Sequence, residues 1–165
     1  MDRCFMTNWF IGFVPKQIGK FLKHRICPSG CPPFDAKCSI CRYEEKCRKL
    51  IIDQIRVLEP KAILLLGKEV TRRAHNIAPC LKSWGSVKGS SFFRGVDAIG
   101  AVASNVLVPA ASLHTNFVAL LHPSDYRNHV HRGNPMPAPP KGIERDERKK
   151  AGREFEIGLI KNSLK

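Results

Sequence analysis

The order of apolar patterns along this sequence predicts an α/β protein of the doubly wound, layered kind. Three observations lead there. A helical pattern over residues 42–58 is followed by a short continuous apolar run at 62–66 and a second helical stretch at 68–77. A second apolar run, FVALL at 117–121, stops abruptly at His122-Pro123-Ser124, and residues 144–164 close the chain with an amphipathic helix.

Residues 3–10 are apolar and β-prone, with Phe5, Met6, Trp9 and Phe10 flanking Thr7-Asn8, which predicts a strand that runs out into a loop at Asn8. From residue 12 to 40 no period holds. Pro, Gly and Cys punctuate the stretch, Lys16, Lys20, Lys23 and Arg25 make it basic, and so long an excursion needs an internal staple to be ordered. Over 42–58 the positions Cys47, Leu50, Ile51, Ile55 and Leu58 follow three-and-four spacing, and Pro60 ends the helix. The run AILLL at 62–66, bounded by Pro60 and Gly67, reads as a strand covered on both faces, as in a parallel sheet. The Gly- and Ser-rich stretch 79–112 holds a weak strand pattern at 101–108, and 127–141 is a Pro-rich basic connection. In the closing helix Ala151, Phe155, Leu159 and Ile160 share one side. No internal repeat is present.

With 165 residues and 18.5 kDa the chain is expected to form one domain with a buried core. Apolar residues at 43% and charged residues at 25% exclude wholesale disorder and collagen-like or coiled-coil chains. No run approaches the roughly 20 apolar residues of a membrane span, and MDRCFMTNWF lacks a signal-peptide layout, so the sequence reads as cytoplasmic. Lys and Arg number 28 against 14 Asp and Glu, and 28 − 14 leaves +14, a field that suits a polyanion such as nucleic acid. Solubility is the other reading of such basicity.

Five of the seven cysteines, Cys27, Cys31, Cys38, Cys41 and Cys47, fall within 21 residues. In a reducing compartment such clustering points to zinc or an iron-sulfur cluster, and Cys38-Ser39-Ile40-Cys41 is a Cys-x2-Cys pair that lets both sulfurs reach one metal from a tight turn. Cys4 and Cys80 lie in apolar sequence and read as small core residues.

Ligand crevices in open α/β sheets lie outside the carboxyl ends of the strands, where Thr7-Asn8 and His122-Pro123-Ser124 fall. An Asn side chain carries the donor and acceptor that read a pyrimidine edge, and a neutral His donates to a developing oxyanion. Taken singly, Asn8 also suits a turn cap and His122 a satisfied loop histidine.

The segment from Cys47 to Gly67, with Leu-Glu-Pro-Lys between helix and strand and Leu-Gly at the strand's end, resembles the uracil-DNA glycosylase superfamily when taken with Leu121-His122-Pro123-Ser124 and Phe5-Met6-Thr7-Asn8. The closest likeness is to its iron-sulfur branch, in which a cysteine followed by prolines stands sixteen residues before the helix cysteine, as Cys31-Pro32-Pro33 stands before Cys47. The resemblance implies a three-layer α/β/α sandwich with a mostly parallel central sheet, formed by a single domain over 1–165 with a cysteine-rich metal-binding insertion around 27–47. It implies uracil excision from DNA by hydrolysis of the N-glycosidic bond. Asn8 would read uracil, His122 would face uracil O2 and Ser124 would touch DNA phosphate, while Arg127, Asn128 and Arg132 lie where such enzymes push a loop into DNA. The implied cofactor is a [4Fe-4S] cluster, with zinc as the alternative, held among Cys27, Cys31, Cys38, Cys41 and Cys47. The implied partner is uracil-containing or otherwise damaged DNA, bound by a monomer away from membranes.

The sequence departs from that pattern in three ways. Only seven residues precede Asn8, so the Gly-Glu-x-Pro-Gly motif that supplies the water-activating group is missing, as in a chain shortened at its N-terminus. Two upstream cluster cysteines are missing too, and Cys27, Cys38 and Cys41 would stand in for them. Asp125 places a carboxylate beside the phosphate site. The alternative expectation is therefore a catalytically impaired nucleic-acid-binding module with a cysteine-rich metal site.

Overall fold

The computed structural model describes residues 39–87, 92–122, 129–133 and 142–165, with side chains from residue 42 onward. The expected strand at 3–10, Asn8 and the candidate metal ligands Cys27, Cys31 and Cys38 lie outside the described residues, as do Ser124, Arg127 and Asn128. The chain divides into two compact units, Met1–Val57 and Leu58–Lys165.

The first unit contributes helix α1 (Ser39–Leu58). Its buried seam is Cys47, Ile51, Ile52 and Ile55, the i, i+4, i+5 and i+8 positions of an amphipathic helix, while Leu50 and Leu58 of the expected stripe are exposed. Ion pairs one turn apart, Glu45 with Arg48 at 2.6 Å and Asp53 with Arg56 at 2.7 Å, line the rest of its surface. The helix begins three residues ahead of the expected start, so Cys41 stands in its first turn rather than in a loop.

The second unit is mixed α/β. Strands β1 (Ala62–Leu66), β2 (Val102–Val108) and β3 (Leu113–Leu120) form a sheet in the order β1-β3-β2. β1 lies parallel to β3, as expected for two runs separated by helical chain, but β2 is antiparallel to β3. The cause is the connection. Only the 3-10 turn Pro109–Ala111 and Ser112, with φ 53°, join β2 to β3, whereas a parallel pair needs a crossover of about a dozen residues or more. Among the described residues the sheet is thus mixed, not mostly parallel. Phe117 to Leu121 are all buried, so the second half of the central strand is covered on both faces, while His114 near its start is exposed. β1 departs from that expectation: Leu64 is 39% exposed.

After Gly67 come helix α2 (Lys68–Arg73), which tightens into a 3-10 turn at Ala74–Asn76, then a 3-10 turn at Pro79–Leu81, α3 (Lys82–Ser86) and α4 (Phe92–Ala98). Their apolar residues Ile77, Leu81, Trp84, Phe92 and Val96 are buried, and the Trp84 indole N–H donates to the Gly100 carbonyl at 3.0 Å. Cys80 is exposed, contrary to its core reading, because Ala78 and Leu81 take the inward positions of that turn.

Helix α5 (Ile143–Ser163) runs antiparallel to β3: near its end the Ser163 carbonyl accepts from Asn116 Nδ2 at 2.6 Å, and one carboxylate further back, Glu156, reaches Leu121. It approaches the turn at His129 tightly at Gly152, where a Cβ would overlap the His129 carbonyl. The inward face therefore runs through Gly152, Glu156 and Ser163, one position round from the expected Ala151, which is exposed. Among the described residues no helix is long and apolar enough to cross a membrane.

Candidate active site

Because β1 and β3 are parallel, their carboxyl ends share one edge of the sheet. Gly67 closes β1 there: its N–H donates to the Leu120 carbonyl at 2.8 Å, extending the ladder by one bond. Its own carbonyl accepts from the Thr71 N–H at 3.1 Å and the Thr71 hydroxyl at 3.0 Å, which turns the chain directly into α2. The backbone at Gly67, φ 95° and ψ 161°, lies in a region open essentially to glycine. The space agrees with the torsions. A Cβ on Gly67 would come within 3.2 Å of the His122 Cβ and 3.7 Å of its Cδ2. The Leu-Gly strand end and the histidine of the His-Pro-Ser motif, far apart in sequence, are thus neighbours, and His122 is solvent-exposed.

A buried ionic cluster lies beneath this edge. The Arg132 guanidinium, with side-chain exposure of 0%, donates from Nη2 to the Ala119 carbonyl at 2.8 Å. It is flanked by Asp97 at 3.4 Å and Glu156 at 3.3 Å, and by the rings of Phe93 at 4.8 Å and Phe155 at 5.7 Å. The two carboxylate contacts are ion pairs without hydrogen-bond alignment at Asp97 Oδ1 and Arg132 Nε. Burial lowers the Arg132 guanidinium from its usual range, against the pull of Asp97 and Glu156. Burial likewise raises the Asp97 carboxyl, which Arg132 and the Gly133 N–H oppose and Glu156 reinforces. Arg132 therefore holds the turn at 129–133 to the sheet, and its guanidinium is not presented to a DNA phosphate. The basic loop reading is corrected for this residue: four aromatic and acidic partners from α4 and α5, invisible in the local sequence, draw it inside.

Sequence reasoning missed Asp97 and Glu156. The signal for Glu156 was present, since it is a lone acid on the helix side that carries Phe155, Leu159 and Ile160. A groove of about 480 Å³ runs along β2, lined in part by Cys80, Trp84, Ile99, Leu107 and His114; neither Gly67 nor His122 borders it.

Of the five candidate metal cysteines, Cys47 alone has a described side chain. It is buried, unbridged and hydrogen-bonded with Tyr43, whose phenol is raised from its usual range first by burial and then by that bond. Cys41 and Cys47 share α1, and six residues of helix separate them by about 9 Å along the axis and roughly 120° around it. Among the described residues no group of three His, Cys, Asp or Glu side chains converges as a metal site.

No protein-family model, no curated protein and no solved structure matches the chain.

Proposed function

We infer that this chain is a DNA-binding protein of the uracil-DNA glycosylase type, built as an α/β/α sandwich, that excises uracil by hydrolysis of the N-glycosidic bond. The observation that supports it best is the meeting of Gly67 and His122 at the shared carboxyl edge of β1 and β3. Two motif elements that carry the family resemblance are brought together at the place where open α/β sheets bind ligands. Burial of the second half of β3 on both faces fits the layered architecture, and the charge of +14 fits a polyanionic partner.

In the proposed reaction the target nucleotide first leaves the duplex stack, at a cost of a few kcal/mol recovered in the pocket. The bond between sugar C1′ and uracil N1 then breaks, and its electron pair leaves with the base and spreads onto O2. A ring N–H of His122 donates to O2 as that charge develops, which is the transition-state-specific part of the work. Water adds to the oxocarbenium-like sugar, and its proton leaves to the base or to solvent. Asn8 is the proposed uracil-reading residue, Ser124 and Arg127 the proposed phosphate contacts. An iron-sulfur cluster held among Cys27, Cys31, Cys38, Cys41 and Cys47 would act as the structural staple of the cysteine-rich segment, with zinc separated from it by measuring bound iron, sulfide and zinc.

The test is to incubate the protein with a uracil-containing oligonucleotide and treat with alkali. Strand scission at uracil, absent with a cytosine control, supports the reading. Salt-sensitive binding to both oligonucleotides without scission instead selects the impaired nucleic-acid-binding module.

A further inference from the structure

We propose that Glu156 is the positioning residue of this site: a single carboxylate on α5 that fixes the backbone leading into His122 and ties it to the turn at 129–133. The proposal rests on the reading of His122 given above, and it deepens that reading.

β3 ends its ladder at Leu120, so the N–H of buried Leu121 finds no strand partner among the described residues. A buried N–H must be satisfied, and Glu156 Oε1 accepts it at 2.8 Å. That same oxygen lies 3.3 Å from Arg132 Nε, while Oε2 lies 3.7 Å from His129 Nδ1. Arg132 in turn donates to the carbonyl of Ala119, two residues before Leu121. One carboxylate thus meets the residue just before His122 and two residues of the turn that follows, and the carboxylate is itself 12% exposed. Its helix is held on either side of Glu156, by the Asn116 side chain at Ser163 and by the tight approach of Gly152 to His129. An acceptor delivered from a fixed helix to the last buried amide before a catalytic side chain sets where that side chain stands, without itself touching the substrate.

Glu156→Gln and Glu156→Ala in the full chain test this. Glutamine keeps a carbonyl acceptor for Leu121 and removes the charge; alanine removes both. In the alanine variant, exchange of the Leu121 amide hydrogen should quicken by about tenfold or more beyond any change in global stability, and the His122 ring resonances should move. Single-turnover uracil excision should fall between about tenfold and a hundredfold, with oligonucleotide affinity nearly unchanged. Glutamine should restore most of the Leu121 protection. Wild-type Leu121 exchange and wild-type His122 resonances in Glu156→Ala would overturn the proposal, as would a glutamine variant no better protected than alanine. If the wild-type protein excises no uracil, the functional reading fails, while the amide and ring measurements still decide whether Glu156 positions His122.

Discussion

Gly67 and His122 occupy the same small space at the end of two neighbouring parallel strands: the α-carbon of the glycine faces the side chain of the histidine so closely that one added methyl would stand 3.2 Å from its Cβ. The glycine is required twice, by its torsions and by its neighbour. Gly67→Ala should therefore lower stability by about 1–3 kcal/mol in denaturant unfolding and displace the His122 ring resonances. Unchanged resonances would mean that the two residues do not share this space in solution.

The contact of α5 with the turn at His129 gives a paired test within one helix. Gly152→Ala places a methyl against the His129 carbonyl and should cost about 1–3 kcal/mol or more. Gly158→Ala meets nothing within 4 Å and should stabilise the helix by up to about 1 kcal/mol. Thermal unfolding of the two variants should move in opposite directions.

Asp97 gives a pH signature. Its carboxyl is raised in the folded protein by burial, so the folded state holds that proton more tightly than the unfolded chain does. The stability this contributes is complete below the ordinary carboxyl range, about pH 3.9, and is lost as pH rises through the folded value. Asp97→Asn cannot titrate. The stability of that variant relative to wild type should therefore climb with pH across this window, measured by denaturant unfolding at stepped pH. A difference, variant minus wild type, that stays constant or falls as pH rises contradicts the raised carboxyl.

How much of this could be read from the sequence depends on where the partners of each residue lie. β1 was legible to the residue at 62–66, because a continuous apolar run between Pro60 and Gly67 needs no distant information. β3 was read only from Phe117, although it begins at Leu113. Its first half contains Thr115, whose hydroxyl donates to the Pro60 carbonyl at 2.6 Å, and Asn116, which accepts from the Asn105 N–H at 2.8 Å and donates to Ser163. Polar side chains satisfied from remote segments look like a loop in a local window. The direction of β2 followed from a short connection that the Gly- and Ser-rich sequence around it disguised. At the site, His122 was legible as the end of a buried run, and its closeness to Gly67 followed once the two runs were parallel neighbours. The burial of Arg132 is hidden from a local window for the same reason as the first half of β3, since Asp97 and Glu156 approach it from separate helices.

If His122 stabilises a departing pyrimidine at this strand edge, its removal must slow uracil release, and the rate of that release under single-turnover conditions, wild type against His122→Ala, is the decisive measurement. The wild-type protein should release uracil and the variant should lose about a hundredfold or more of that rate, with binding of the oligonucleotide retained. Equal rates in the two proteins, or no release by the wild type at saturating protein, would contradict it.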